Sequence, residues 1–241
     1  MHGQYITFIA TTLYTTDVYR NSDTMTIRYL VLGNEKLKNS SGSDKIVVGW
    51  GIGAGSKTCP CAGACRNGCY ALSGRYLFAN VKAKNYSRLA LSESDQFIPV
   101  IDSEIKEIIG KNPDKVVYVR IHDSGDFYNM AYAQKWFSIM RNNPDVKFYA
   151  YTKMVEMFQS LTANGGIPEN FKLIMSYGGT QDNLIRDTDT HAKVFENMQE
   201  LTAAGYIDCS HDDLLVFTTN KVGLTYHGNK KWENTGFINI E

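Results

Sequence analysis

Between residues 116 and 217, short apolar runs alternate with amphipathic segments, and this alternation limits the fold more than any other feature. Val116-Val117-Tyr118-Val119-Arg120-Ile121 reads as a strand, followed by a helix from Met130 to Arg141. Lys147 to Tyr151 is the next strand, and Val155 to Ala163 the next helix. Phe171 to Ser176, a helix from Thr190 to Ala204 and a last strand from Leu214 to Phe217 complete the series. Strands with so few polar residues are covered on both faces, as in a parallel sheet joined by crossover helices. Such crossovers are right-handed. The expected class is α/β: a parallel sheet with alternating helices and a partial TIM-barrel-like architecture. A doubly wound sheet is the competing arrangement.

Upstream, Thr26 to Leu32 reads as a strand ended by Gly33-Asn34, residues 38–44 as a loop, and Ile46 to Trp50 as a short strand. After Cys69 the chain reads helical to about Ser92, with Tyr76, Ala79, Ala83, Tyr86 and Ala90 near helical spacing. A second helix, capped by Ser94 or Asp95, runs through Lys111 with Ile98, Ile101, Ile105, Ile108 and Ile109 on one face. Residues 1–24 have no helical period and read as an N-terminal arm or edge strand, with Met25 as an alternative start of translation. No repeat or low-complexity tract divides the chain, so 1–241 is read as one α/β domain.

The 25 basic and 25 acidic residues cancel, so there is no strong nucleic-acid signal. No run of roughly 18 apolar residues is present, so no membrane helix is expected. Met1-His2-Gly3-Gln4-Tyr5 lacks the basic and apolar regions of a signal peptide, which points to the cytoplasm.

Four of the five cysteines lie between Cys59 and Cys69, spaced C-x-C-x3-C-x3-C. Thiolates this dense can chelate one soft metal centre. Disulfides are a competing reading, but the cysteine count is odd and no signal peptide is present. Four unrelated buried thiols are another, but Pro60, Gly63, Gly68 and polar neighbours do not make a buried apolar segment. Structural zinc sites usually take two separated cysteine pairs, and only Cys209 follows here. The loop therefore reads as an iron–sulfur site, with zinc as the alternative. Cys59, Cys61, Cys65 and Cys69 are the candidate ligands, and three of them suffice if one iron stays open to another ligand. The run Gly51-Ile52-Gly53-Ala54-Gly55-Ser56-Lys57 departs from the phosphate-loop pattern, because Ser56 separates Gly55 from Lys57. It reads as a flexible or close-packed lead-in to a metal-binding loop over 51–71.

Chemistry in parallel α/β folds collects at the carboxyl ends of the strands. There the sequence places His122, Asp126 and His211 as candidates for proton transfer. Asp123, Ser124, Gly125, Lys153, Gly178 and Gly179 are candidate contacts to a bound small molecule. Each has a plainer alternative. Asp123 and Asp126 serve equally as caps for a helix starting near Asn129. His122 reads also as a satisfied core histidine, the glycine pair as a turn, and Lys153 as a surface charge. Cys209 and His211 have the spacing of a ligand pair, as a weak signal.

These segments resemble a family of tailed-phage proteins, the gene product eighty-eight-like family. The matching pieces are Lys57-Thr58-Cys59-Pro60, Cys65, Cys69-Tyr70-Ala71 and Arg120-Ile121-His122-Asp123-Ser124-Gly125-Asp126-Phe127. They continue with Phe148 to Lys153, Ser176-Tyr177-Gly178-Gly179 and His227-Gly228. The resemblance implies Cys59, Cys65 and Cys69 as the common cysteines and a phage-encoded protein in the host cytoplasm; it carries no settled activity. A looser resemblance is to radical S-adenosylmethionine enzymes, whose three cysteines hold a 4Fe–4S cluster with an open iron that takes the cofactor. It implies a radical-SAM-like barrel and S-adenosylmethionine as a further cofactor. Cys61-Cys65-Cys69 is one residue longer than that family's C-x3-C-x2-C, and Asp123-Ser124-Gly125-Asp126 stands where that family has Gly-Gly-Glu-Pro.

The expectation is an iron–sulfur cluster-binding phage-type protein, a redox or radical enzyme acting on a small molecule. The pocket would be made by residues 122–126, 177–179 and 208–213. The alternative is a non-catalytic, metal-stabilised binding protein that modulates a host factor.

Overall fold

The structure, a computed structural model, describes residues 18–21, 24–33 and 35–226. Val18–Asn21 (β1) and Thr24–Ile27 (β2) form an antiparallel hairpin, a two-stranded sheet of its own. A short helix, Glu35–Ser40 (α1), precedes Lys45–Trp50 (β3), the first strand of the main sheet. Helices Ala79–Glu93 (α2) and Phe97–Lys111 (α3) lead to Val116–Ile121 (β4). Met130–Asn142 (α4), Lys147–Thr152 (β5), Val155–Ala163 (α5) and Phe171–Ser176 (β6) follow in alternation. The chain continues with His191–Phe195 (β7), Met198–Ala203 (α6), Ile207–Asp208 (β8) and Lys221–Thr225 (β9).

The seven strands β3 to β9 are all parallel, in the order β3-β4-β5-β6-β7-β9-β8. From β3 to β7 each strand pairs with the next in sequence. A doubly wound sheet reverses its strand order at a switch point; a barrel does not. Sequential right-handed crossovers put the helices on one face, and the sheet curls around the other as a half-barrel.

Alternation along the strands separates two cores. Val48, Trp50, Val117, Val119, Ile121, Phe148 and Ala150 face the helix layer, where they pack with Ile101 and Ile105 of α3 and with Trp136 and Phe137 of α4. Val47, Tyr149, Ile174, Ala192 and Val222 face the concave side and meet Leu37, Cys209, Leu214 and Val216. Thus α1 and the turn at 213–217 plug the concave side, and its carboxyl-end opening is left free.

Several local expectations are corrected. The segment Thr190–Ala204 is a strand and then a helix: His191–Phe195 pairs with both β6 and β9, and Asn197 caps α6 by accepting from Glu200 N at 3.0 Å. Leu214–Phe217 is a single 3-10 segment, Asp213–Phe217, started by Asp212 Oδ1 accepting from Leu214 N at 2.9 Å. An apolar run of four residues has no period that separates the two states. The last strand is instead β9, where Gly223 leaves room for Leu201, a side chain that a Cβ there would meet at 2.5 Å. The helix expected from Cys69 begins at Ala79, after three 3-10 turns at 64–66, 70–72 and 74–77. The strand expected over 26–32 stops at Ile27, with Val31 returning only for an isolated antiparallel bridge to Gly49. The loop expected over 38–44 starts later, because Lys38–Ser40 close α1.

Among the described residues no helix is long and apolar enough to cross a membrane.

Candidate functional site

The glycine-rich run after β3 is built into the strand ends. Asp123 N donates to Trp50 O at 2.9 Å, and Ile52 N to Ser124 O at 3.0 Å, so 50–53 and 123–125 run side by side. A Cβ on Gly51 would sit 1.7 Å from Asp123 Oδ1, so glycine there makes room for that carboxylate. Thr58 then closes the lead-in: its Oγ1 donates to Gly53 O at 2.7 Å, and its carbonyl accepts from Asp126 N at 2.7 Å.

The cysteine segment is held from a second side by the end of β6. Gly178 O accepts from Gly63 N at 3.1 Å and from Cys65 N at 3.0 Å, and Thr180 N donates to Cys61 O at 2.9 Å. Ala62 and Gly179 form an antiparallel bridge. Asp182 fixes the glycine pair, its carboxylate accepting from Gly178 N at 2.7 Å and Gly179 N at 2.8 Å. The glycine pair therefore meets the cysteine loop itself. Substituting Gly179 by Ala places a Cβ 2.9 Å from Cys61 O, a backbone atom that cannot swing aside. We expect Gly179→Ala to push the loop off β6 and to lower stability by about 1–3 kcal/mol, read by thermal melting, with faster proteolysis in 56–78.

Clamped on both sides, the loop forms one wall of a cavity of about 560 Å³ at the carboxyl ends of the strands. Cys59, Cys65 and Cys69 line it; Cys61 does not. All four are half-buried free thiols, while Cys209 is fully buried in the concave core. Burial pushes the Cys59, Cys61 and Cys69 thiols up, so a metal must displace their protons on binding. Among the described residues no three His, Cys, Asp or Glu side chains converge around a single point.

The other predicted site residues divide sharply. Asp126 is buried and engaged by the protein: Oδ1 accepts from Phe127 N and Thr152 Oγ1, both at 2.7 Å, and Oδ2 from Lys153 N at 2.8 Å. Burial raises its pKa in spite of these bonds. It joins the ends of β4 and β5; the cap of α4 is Asn129, whose Oδ1 accepts from Tyr132 N at 2.8 Å. Asp123 lines the cavity and takes hydrogen bonds from Ser124 Oγ at 3.2 Å and Tyr76 Oη at 3.4 Å, while Tyr70 Oη donates to its carbonyl. Ser124 is buried, and Gly125 takes a left-handed φ of 89°. Lys153 reaches across to Ser176 Oγ at 3.0 Å on the cavity wall.

His122 follows the strand's inward-facing register, yet its φ of 67° turns the ring back onto the helix layer. There it packs edge-on to Phe127 at 4.7 Å between centroids and lies 2.9 Å from Tyr132 Oη. Burial lowers its pKa to about 3, so the imidazole is neutral. His211 is exposed and stands off the cavity, and Cys209 points into the core, so they do not form a ligand pair. His227 lies outside the described residues.

Of the stretch 208–213 expected in the pocket, Ser210 lines the cavity, whereas Asp213 lies beneath it in an ion cluster that sequence reasoning did not single out. Asp213, completely buried, accepts from Arg120 Nη1 at 2.6 Å and Tyr149 Oη at 2.8 Å, and pairs with Lys36 Nζ at 2.6 Å. Its backbone N donates to Ser40 Oγ at 2.8 Å. Burial opposes ionisation of Asp213, but Arg120 and Lys36 outweigh it and hold the carboxyl below its ordinary value. The signal was present: an arginine inside an otherwise apolar strand demands a buried counter-charge.

Residues 27–239 match the model of the family described as Gene product 88. The Gene 88 protein of Mycobacterium phage L5 is 31% identical over 104 residues, which cover 40% of this chain and 43% of that protein. The match thus spans less than half the length of that curated relative. No solved structure matches the chain.

Proposed function

This chain belongs to the gene product 88 family of phage proteins, and we propose that it holds an iron–sulfur cluster at the open end of its half-barrel, facing a cavity that takes a small molecule. One observation carries the reading: Cys59, Cys65 and Cys69, set on separate turns of one clamped loop, line the same strand-end cavity, and Cys61 stands apart from it. Three ligating thiolates leave a cluster iron open, and such an iron supplies redox activity and a Lewis-acidic position.

The chain's own residues would orient and shield the ligand. The glycine clamp and Thr58 fix the height of the cysteine loop above the strand ends. Tyr70 and Leu72 wall the cavity on one side, and Asp123 and Lys153 present charges into it. Because Asp126 is bonded internally, its part is to hold Lys153 and the β4–β5 ends in place. S-adenosylmethionine is the cofactor to test first, in a radical-enzyme version of this reading. Anaerobic protein should be brown, with broad absorbance at about 400 nm, and should give a heat of binding with S-adenosylmethionine. A brown protein with no such heat removes the radical-enzyme version and keeps the cluster.

A second reading is favoured by a separate observation. Tyr70, Leu72, Leu77, Phe78 and Tyr86 are exposed along the segment just after the cysteines. Clustered apolar side chains on a surface mark interaction sites. In that reading the metal, iron–sulfur or zinc, only orders the loop that displays them to a host protein. Protein with metal bound, but with no small-molecule ligand and tight capture of one host factor, would favour it.

A further inference from the structure

We infer that the cavity floor is a subsite for a small organic anion, a carboxylate or a phosphate, held by Arg120, Tyr151 and Lys153. The inference rests on reading the cavity as a ligand site and is independent of the cluster. Arg120 and Tyr151 occupy the concave register of adjacent strands, with the guanidinium carbon 5.4 Å from the tyrosine ring centroid. Both line the cavity. Arg120 Nη1 is bonded to Asp213, but Arg120 Nε and Tyr151 Oη are buried with no partner in the protein. Buried polar atoms are nearly always satisfied, so two orphans on one cavity floor point to a group that the protein lacks. Both can donate, and donors call for an acceptor.

Charge selects the kind of acceptor. Lys36 and Arg120 both line the cavity and share the single carboxylate of Asp213, which leaves this cluster one positive charge in excess. Lys153, at the end of the same strand as Tyr151, contributes a further cation, whose Nζ donates to a neutral hydroxyl, Ser176 Oγ, at 3.0 Å. Asp123 and Asp126 are the opposing carboxyls on the wall: Asp123 is engaged with Tyr76 and Ser124, and Asp126 with Thr152 Oγ1 and the backbone N–H groups of Phe127 and Lys153. A planar guanidinium, an ammonium and a phenol around one space match a carboxylate or phosphate.

The test titrates the full chain calorimetrically with succinate and with inorganic pyrophosphate. At least one should bind saturably at roughly 1 mM or tighter. Tyr151→Phe and Lys153→Met should each weaken it by about ten-fold or more, as loss of a charge-assisted bond does. Tyr151→Phe should melt no lower than the parent, since the hydroxyl it removes has no protein partner. Binding of succinate alone identifies a carboxylate site, and of pyrophosphate alone a phosphate site. The inference is overturned if neither probe binds saturably, if Tyr151→Phe binds as the parent does, or if Lys82→Met, on the exposed face of α2, weakens binding equally. Metal-free Cys65→Ser protein should still bind the anion, so this site and the cluster fail or stand separately.

Discussion

Cys65→Ser or Cys69→Ser should strip the bound centre and loosen residues 56–78, whereas Cys61→Ser should leave most of the metal in place. Iron per chain is expected to fall about ten-fold or more in the first two variants, and in Cys59→Ser, when measured on anaerobic samples. Cys65 lies in the 3-10 turn Ala64–Arg66, and Cys69 caps the turn Tyr70–Leu72. Among the residues of the three turns between Ala64 and Leu77 only Ala71 is buried. Short 3-10 turns with so little apolar burial have weak intrinsic stability, so we expect their order to depend on cross-links of the kind a metal centre would provide. Limited proteolysis should cut this stretch in the serine variants and spare it in the loaded parent. Cys61 is placed differently: its carbonyl serves the β6 clamp, and its thiol does not line the cavity. Equal metal loss from all four variants would refute the three-ligand arrangement.

Asp213→Ala should be the most destabilising single substitution in the sheet, at about 3–5 kcal/mol, the cost of leaving buried charges without their partner. On a chain of this length that lowers the melting temperature by roughly 10 °C. Two cations, Arg120 and Lys36, lose their shared counter-ion, and Tyr149 loses its acceptor. Asp213→Asn separates charge from shape: if it costs nearly as much as Ala, the charge is the cause. The same residue sets a pH dependence. Its folded pKa lies below the ordinary aspartate value of 3.8, so its stabilisation is fully present above that value and is lost as pH falls through the folded pKa. The parent should therefore lose stability steeply below about pH 4, and Asp213→Asn should lack that component.

The strands β3 to β6 were legible because both faces of each are covered, which leaves continuous apolar runs. The barrel-like order was legible only as one of two arrangements, since helix and strand patterns do not carry the direction in which the sheet grows. Sequence patterns failed where two short elements share one window. His191 to Ala203 holds a strand and a helix separated by the Asn197 cap, and together they mimic one long helix. The cysteine loop stood out from spacing alone, but its seat on Gly178-Gly179 depends on residues more than a hundred positions away. Asp126 and Asp123 have the same local context, a turn before a helix, and both border the cavity, yet the Asp126 carboxylate is spent joining two strand ends while that of Asp123 meets Tyr76 and Ser124. His122 borders the cavity, but its left-handed backbone turns the ring onto Phe127 and Tyr132, which its sequence context does not show. For Arg120 the need for a counter-charge was readable, but the acid that supplies it is 93 residues away.

Iron, acid-labile sulfide and zinc measured together on one anaerobic preparation test the central claim most directly. The account predicts iron and sulfide in equal amounts, close to four of each per chain as about one 4Fe–4S cluster requires, with zinc negligible. One zinc per chain with neither iron nor sulfide, persisting after cluster reconstitution, would contradict it.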